Sequence, residues 1–279
     1  MPKATTAQAK ARVRAAAAKT APARVSAAVS AEAGTSSSAR SLAVLAAVAG
    51  RGRAISLAEL AATSGLPKAT AHRLCEQLVG SGHLARDFAD RSFVAGPALR
   101  ALAYDTLNHG TARGLRHEVL AGLVGRIDET CNFTTLDGTG VLYLDRVEAP
   151  WPLRLTLDVG SHVPLHCTAS GKLFLAAMAQ PERDALIARI AMPRMTVATL
   201  TTAKALRAEC DAIAAAGYSC DREEFVAGLI AVAVPVTDAA GAVRAAIAVH
   251  APTARMSLRV AVSKLPALKA AAARMRALL

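Results

Sequence analysis

The sequence predicts an α+β protein of two domains, a short helical one closed by a hairpin and a larger mixed one. Three observations predict it. The chain has 279 residues, too many for one small domain and enough for two that each bury a core. Residues 41–96 run helix, helix, tight turn, helix, hairpin, whereas beyond residue 113 strand-like runs mix with segregated helices. Hydrophobic residues make up 53% of the chain and aromatics 3%, so both cores must be built from Ala, Val, Leu and Ile. The abundance of Ala favours helix.

Residues 1–38 show no sustained amphipathic period and contain two prolines and a Thr-Ser-Ser-Ser run, which makes them an expected disordered basic tail. Rich in Ala, Arg and Ser and poor in acids, the same stretch also mimics a transit peptide. "SLAVLAAVAG" (41–50) reads as a short helix capped by Ser41, with Leu42, Leu45 and Val48 inward and Gly50 and Gly52 ending it. In "ISLAEL" (55–60), Ser56 and Glu59 have capping-box spacing and Ile55 and Leu60 form a hydrophobic staple, so a helix starts at about residue 57. Gly65 stops it in the left-handed conformation.

Pro67 then opens another helix, where its missing N–H costs nothing. Ala71, Leu74, Cys75 and Leu78 fall at i, i+3, i+4 and i+7 and make its core face, and Gly80 and Gly82 end it. "HLARDFADRSFVAG" (83–96) follows as two short strands around a polar turn, with Arg86 and Arg91 near its tip. This order is a winged helix-turn-helix over residues 39–96.

Residues 97–112, with Leu99, Leu102 and Leu107, form a linker helix, and a second domain spans 113–279. It opens on an amphipathic helix through Leu115, Val119, Leu123 and Ile127. "CNFTTLD", "VLYLDRVE" and "LRLTLD" read as strands, the first two joined at "DGTG". "ASGKLFLAAMA", "PERDALIARI" and "TAKALRAECDAIAAAG" read as helices. "IAVAVPVTDAAGAVRAAIAVHAP" is a hairpin turned at Ala240-Gly241, and a last helix over 257–278 is bent or restarted by Pro266.

The formal charge is +12, and it is unevenly spread. Residues 1–112 hold 14 Lys and Arg against 6 Asp and Glu, while the longer remainder holds 19 against 15. A front-loaded excess of this kind suits phosphate contacts. With Ala71, Leu74, Cys75 and Leu78 turned inward, Lys68, Ala69, Thr70, His72 and Arg73 gather on the other side of the helix start. That is where a recognition helix meets base edges and phosphates. Arg73 has the geometry for a bidentate bond to guanine or a grip on phosphate, Thr70 and Lys68 for register on the backbone, and His72 for either. The bland alternative is a solvated helix face, and for Arg86 and Arg91 it is solubilising turn residues.

Five cysteines without a CxxC pair argue against a disulfide framework or structural zinc and favour a reducing cytoplasm. No apolar run reaches the length that spans a bilayer. No cofactor, metal site or membrane partner is expected.

"SLAVLAAVA", "ISLAELAATSGLPKATAHRLCEQLVGSGHL" and "SFVAG" closely resemble the DNA-binding half of the isocitrate-lyase-regulator (IclR) family of bacterial transcription regulators. "LYLDRVEA", "VGSHVPLHCTASGK", "GYSCDREEFVAGLIAVAVPV" and "AAIAVHAPTARMS" extend the resemblance over roughly residues 40–275, in order. The resemblance implies an α+β effector-binding domain of GAF-like type after the winged helix-turn-helix. It implies a ligand-responsive regulator, by preference a repressor of a catabolic operon and alternatively an activator. The implied partners are operator DNA, a small organic acid and a second copy of the chain, as a dimer or a dimer of dimers.

By that resemblance, the amides of Ala169 and Ser170 face an effector carboxylate, and Asp221, Ala231, Ala248 and His250 complete the wall. The residues allow this independently, because "HCTASGK" puts small residues at a helix start, a natural anion site. Relatives that bind very small oxo-acids carry small polar side chains where Ala231, Ala248 and His250 stand. Two methyls and an imidazole, the latter a candidate cation, imply a more apolar acid, aromatic ones included. Plain structural roles for His250 in its strand and Asp221 in its turn are the alternatives.

Enzyme signatures are weak. "SGK" lacks the spacing of a phosphate loop. His166 and Cys167, as neighbours on a strand, would point to opposite faces. His162, His166 and Cys167 lack standard zinc spacing, and the carboxylates of "DREE" lack a visible partner across a cleft. A protein-binding role for the helix and wing is the remaining rival, and the front-loaded charge argues against it.

Overall fold

The computed structural model describes residues 36–51, 54–87, 92–108, 110–152 and 157–278, which form two compact units meeting in sequence at Ala101 and Leu102. The expected tail before Ser36, Gly52, Arg91 and residues 153–156 of the third expected strand lie outside the described residues. The side chain of Leu107 does too.

The first unit holds α1 (Ser37–Arg51), α2 (Leu57–Ser64), α3 (Lys68–Gly80) and the antiparallel pair β1 (Leu84–Asp87) and β2 (Ser92–Ala95). Ser56 caps α2, its Oγ accepting from the Glu59 amide at 3.2 Å, and Gly65 ends it at φ 67°. Ile55 exchanges two backbone hydrogen bonds with Phe93 and so ties the α2 entry to the hairpin. Pro67 stands one place earlier than expected, at the cap of α3 rather than at its first position.

The first helix corrects the sequence reading. It starts at Ser37, so Ser41 lies inside it and donates back to the Ser37 carbonyl, and Leu42 is 62% exposed. Val44 takes its place in the core beside Val48, which is inward as expected, with Leu45 at the margin. Almost every position from 42 to 48 is apolar, so the period alone does not choose the face. Around them pack Ile55, Leu60, Ala71, Leu74, Cys75, Leu84 and Phe93.

α4 (Pro97–Asn108) leads into the second unit. There α5 (Thr111–Ile127), β3 (Thr130–Asp137), β4 (Gly140–Val147), β5 (His162–Pro164), α6 (Ala169–Ala176), α7 (Gln180–Ile187), α8 (Ala203–Ala216), β6 (Ser219–Arg222), β7 (Leu229–Thr237), β8 (Val243–Pro252), α9 (Leu258–Ser263) and α10 (Leu265–Arg276) follow in order. The strands make one antiparallel sheet in the order β5-β4-β3-β8-β7-β6. Alternation along each strand feeds two cores. On one face Phe133, Val232, Ile247 and Val249 pack with α5, α9 and α10, and on the other Ala231, Ala233, Ala246 and Ala248 pack with α6, α7 and α8.

Three expectations change here. Leu157 and Asp158 are not strand, and β5 supplies the edge instead. On α5 the inward stripe begins at Arg116, 1% exposed with its guanidinium 5.7 Å from the centre of the Phe133 ring, while Leu115 faces out. Finally, His166 and Cys167 follow β5 in a bend rather than on a strand. As expected, Pro266 restarts the last helix, at Leu265.

Candidate functional site

Two regions draw functional side chains together, one in each unit. In the first, Ala71, Leu74 and Cys75 anchor α3 in the core, which turns Lys68, Ala69, His72 and Arg73 to solvent and leaves Thr70 half-buried. The first turn carries no acid, and Pro67 offers no side-chain cap, so the leading N–H groups stay available to an anion. Arg86 does not project freely: its guanidinium pairs with Glu76 on α3 and lies 5.5 Å from the centre of the Phe93 ring. Glu76 also stands 3.7 Å from His72 Nε2. The wing is thus tied to the exposed face of α3 by a carboxylate.

In the second unit, a small pocket open to solvent lies between the sheet and α6. All six residues expected there line it: Ala169, Ser170, Asp221, Ala231, Ala248 and His250. They come from α6, β6, β7 and β8. Tyr143, Val163, Thr168, Phe225 and Leu229 line it as well, and sequence reasoning missed them. The β4 period would have placed Tyr143 on a buried face but gave no sign of which pocket it borders. Burial holds the Tyr143 phenol up at about 12.

The α6 start is built for close approach. Thr168 Oγ1 donates to the Pro164 carbonyl at 2.7 Å and accepts from the Gly171 amide at 3.2 Å. The amides of Ala169 and Ser170 then have no acceptor among the described residues. At position 171 a Cβ would come within 2.4 Å of the Leu165 carbonyl oxygen, so only glycine lets the turn fold this tightly.

Behind this end lies a buried charge cluster. Lys172 Nζ pairs with Glu224 and, at 3.2 Å, with Glu209, which Arg222 also holds at 2.7 Å. Asp221 is 3% exposed and its Oδ1 accepts from the Glu224 amide at 2.7 Å and the Phe225 amide at 3.4 Å. Burial nonetheless raises its pKa to about 7, with the charge of Glu224 adding to the rise.

One expectation is overturned. His250 is no cation here: burial first, and then the charge of Arg146, lower its pKa to about 3. His166 is buried and its Nε2 donates to the Pro193 carbonyl at 3.0 Å, and His162 pairs with Asp137 at the surface. Among the described residues, no three metal-ligating side chains come together.

A winged helix-turn-helix joined to a cavity-bearing α+β unit is the plan of a transcription regulator. Residues 37–87 match the IclR helix-turn-helix domain and residues 106–277 the C-terminal domain of bacterial transcriptional regulator IclR. The "Probable transcriptional regulator SauR" of Cupriavidus necator is 41% identical over 78% of this chain and 86% of its own. The transcriptional repressor IclR of Escherichia coli is 27% identical over 73% of this chain and 75% of its own. A solved IclR homolog from Microbacterium hydrocarbonoxydans, complexed with 4-hydroxybenzoate, is 25% identical, covers 86% of this chain and 97% of its own, and superposes with a TM-score of 0.54. The chain belongs to the IclR family of bacterial transcription regulators, and is a regulator rather than an enzyme.

Proposed function

We propose that this chain is a repressor whose hold on operator DNA is changed by a small organic acid, aromatic acids included. The carrying observation is that six residues from four separate elements converge on one cavity beside two unclaimed helix amides. In this reading Ala169 and Ser170 bind the effector's carboxylate, while Asp221, Ala231, Ala248 and His250 shape the rest. The E. coli relative's name and the 4-hydroxybenzoate bound by the Microbacterium homolog support the direction and the ligand class.

Lys68, Ala69, Thr70, His72 and Arg73 contact the operator, with Arg91 on the flanking backbone and Arg86 joining it when it exchanges Glu76 for a phosphate. The working form is a dimer or a dimer of dimers, whose two recognition helices read half-sites set by its symmetry. The effector acts through its different affinity for two arrangements of the DNA-binding units. A gel shift on the upstream intergenic DNA, with and without a panel of organic acids, tests this. Release or tightening by an acid supports ligand control, a reporter behind the same DNA reads repression as higher output when the gene for this chain is deleted, and indifference to every acid overturns ligand control.

A further inference from the structure

The sheet face that floors the cavity carries a buried polar trio. Asn132 on β3 pairs with Arg146 on β4 and with Ala248 on β8, so its side chain shares a face with His250. Arg146 Nη1 donates to Asn132 Oδ1 at 3.0 Å and to His250 Nε2 at 3.4 Å, and Asn132 Nδ2 donates to the same Nε2. All three residues are buried, and Arg146 Nε reaches out to Glu148 at 3.2 Å. Two titratable groups share the face: Asp221, one strand beyond Ala231, which pairs with both Asp221 and His250, and Tyr143, which lines the same cavity.

The donor inventory settles the state of the ring. A guanidinium donates and never accepts, so the Asn132 atom that meets Arg146 is the carbonyl oxygen. The amide nitrogen of Asn132 is then turned to His250, and two donors converge on Nε2. Nε2 must accept, and the proton of the neutral ring sits on Nδ1. An imidazolium would set N–H against N–H. Nδ1 bonds to no described residue, and the ring lines the cavity.

We propose that Arg146 and Asn132 are positioning residues that lock His250 as a neutral Nδ1–H donor, so the cavity selects an acid with an uncharged oxygen acceptor at its far end. The selection rests on the effector reading given above, whereas the lock does not. A second carboxylate at that end would need a cation to meet it. His250 is held neutral, and the guanidinium of Arg146 is already engaged by Asn132, His250 and Glu148.

The lock is tested by long-range 1H–15N NMR of the full chain labelled at its seven histidines, with His250 assigned by the signal lost in His250→Gln. At pH 7 the expected pattern is a protonated Nδ1 and a bare Nε2. A protonated Nε2, or an imidazolium, overturns the lock. Arg146→Lys, which keeps a donor, should preserve the pattern, and Arg146→Met should mix the two tautomers. An unchanged pattern in Arg146→Met removes Arg146 from the role.

Selection is tested by calorimetry with 4-hydroxybenzoate and 4-methylbenzoate. One extra hydrogen bond should favour the hydroxyl compound by about tenfold, and His250→Phe should abolish the preference. Equal affinities in the unaltered protein overturn the selection. Binding of neither compound, with the tautomer in place, overturns the selection and leaves the lock standing, and the effector reading falls with it only if every acid of the panel is also without effect.

Discussion

Asp221→Asn replaces a buried carboxyl by a neutral amide of the same shape, which still accepts from the Glu224 and Phe225 amides through Oδ1. Burial moves this carboxyl from an ordinary 3.8 to about 7 in the folded chain; the Glu224 charge adds to the rise, and the two amides and Lys172 oppose it. The folded pKa is the higher one, so the native state binds the proton more tightly than the unfolded chain. The resulting stabilisation is complete below pH 3.8 and is lost as the pH rises through about 7. At 1.36 kcal/mol per unit, the whole span is worth at most about 4 kcal/mol. Denaturant unfolding of the native and Asp221→Asn proteins between pH 4.5 and 8 measures it. The native protein should lose stability relative to the variant by up to that amount as the pH rises. Parallel curves would refute the claim that burial governs this group.

Other expectations are independent of that one. Arg73→Ala should cost about 1–3 kcal/mol of operator affinity if the side chain reads a base, and an unchanged anisotropy titration removes it from the interface. Glu76→Gln frees Arg86 from its carboxylate and takes one negative charge off the exposed face of α3, so the salt dependence of DNA binding should steepen by about one counterion; an identical slope shows the clamp to be irrelevant to DNA. Gly171→Ala drives a methyl into the Leu165 carbonyl and should cost about 1–3 kcal/mol of stability with loss of effector binding. A variant as stable as the native protein, checked by thermal melting, would contradict the close approach at the α6 start.

The parts of the fold that were legible in the sequence are those set by neighbouring residues. Ser56, Glu59 and Gly65 mark both ends of α2 because capping is a local hydrogen-bond problem, and the apolar spacing of Ala71, Leu74 and Cys75 orients α3 without help from elsewhere. α1 was harder, since an alanine-rich helix is apolar on every side and the core chose Val44 over Leu42. The gathering of Ala169, Ser170, Asp221, Ala231, Ala248 and His250 was legible through family likeness, not from spacing. The state of His250 was not legible at all. Its partners Arg146 and Asn132 lie 104 and 118 residues away in the chain, and only sheet register brings them to the ring. Arg86 shows the same limit: a basic residue in a hairpin looks free until Glu76, ten residues back, claims it.

The most direct test of DNA recognition through α3 is the equilibrium binding of the full chain to its own upstream intergenic duplex across a salt series. Six phosphate contacts shared by two subunits would make log K fall with log[salt] at a slope of about −5, with the Arg73→Ala protein clearly weaker at every salt. No association at low ionic strength, or a flat salt response, would contradict it.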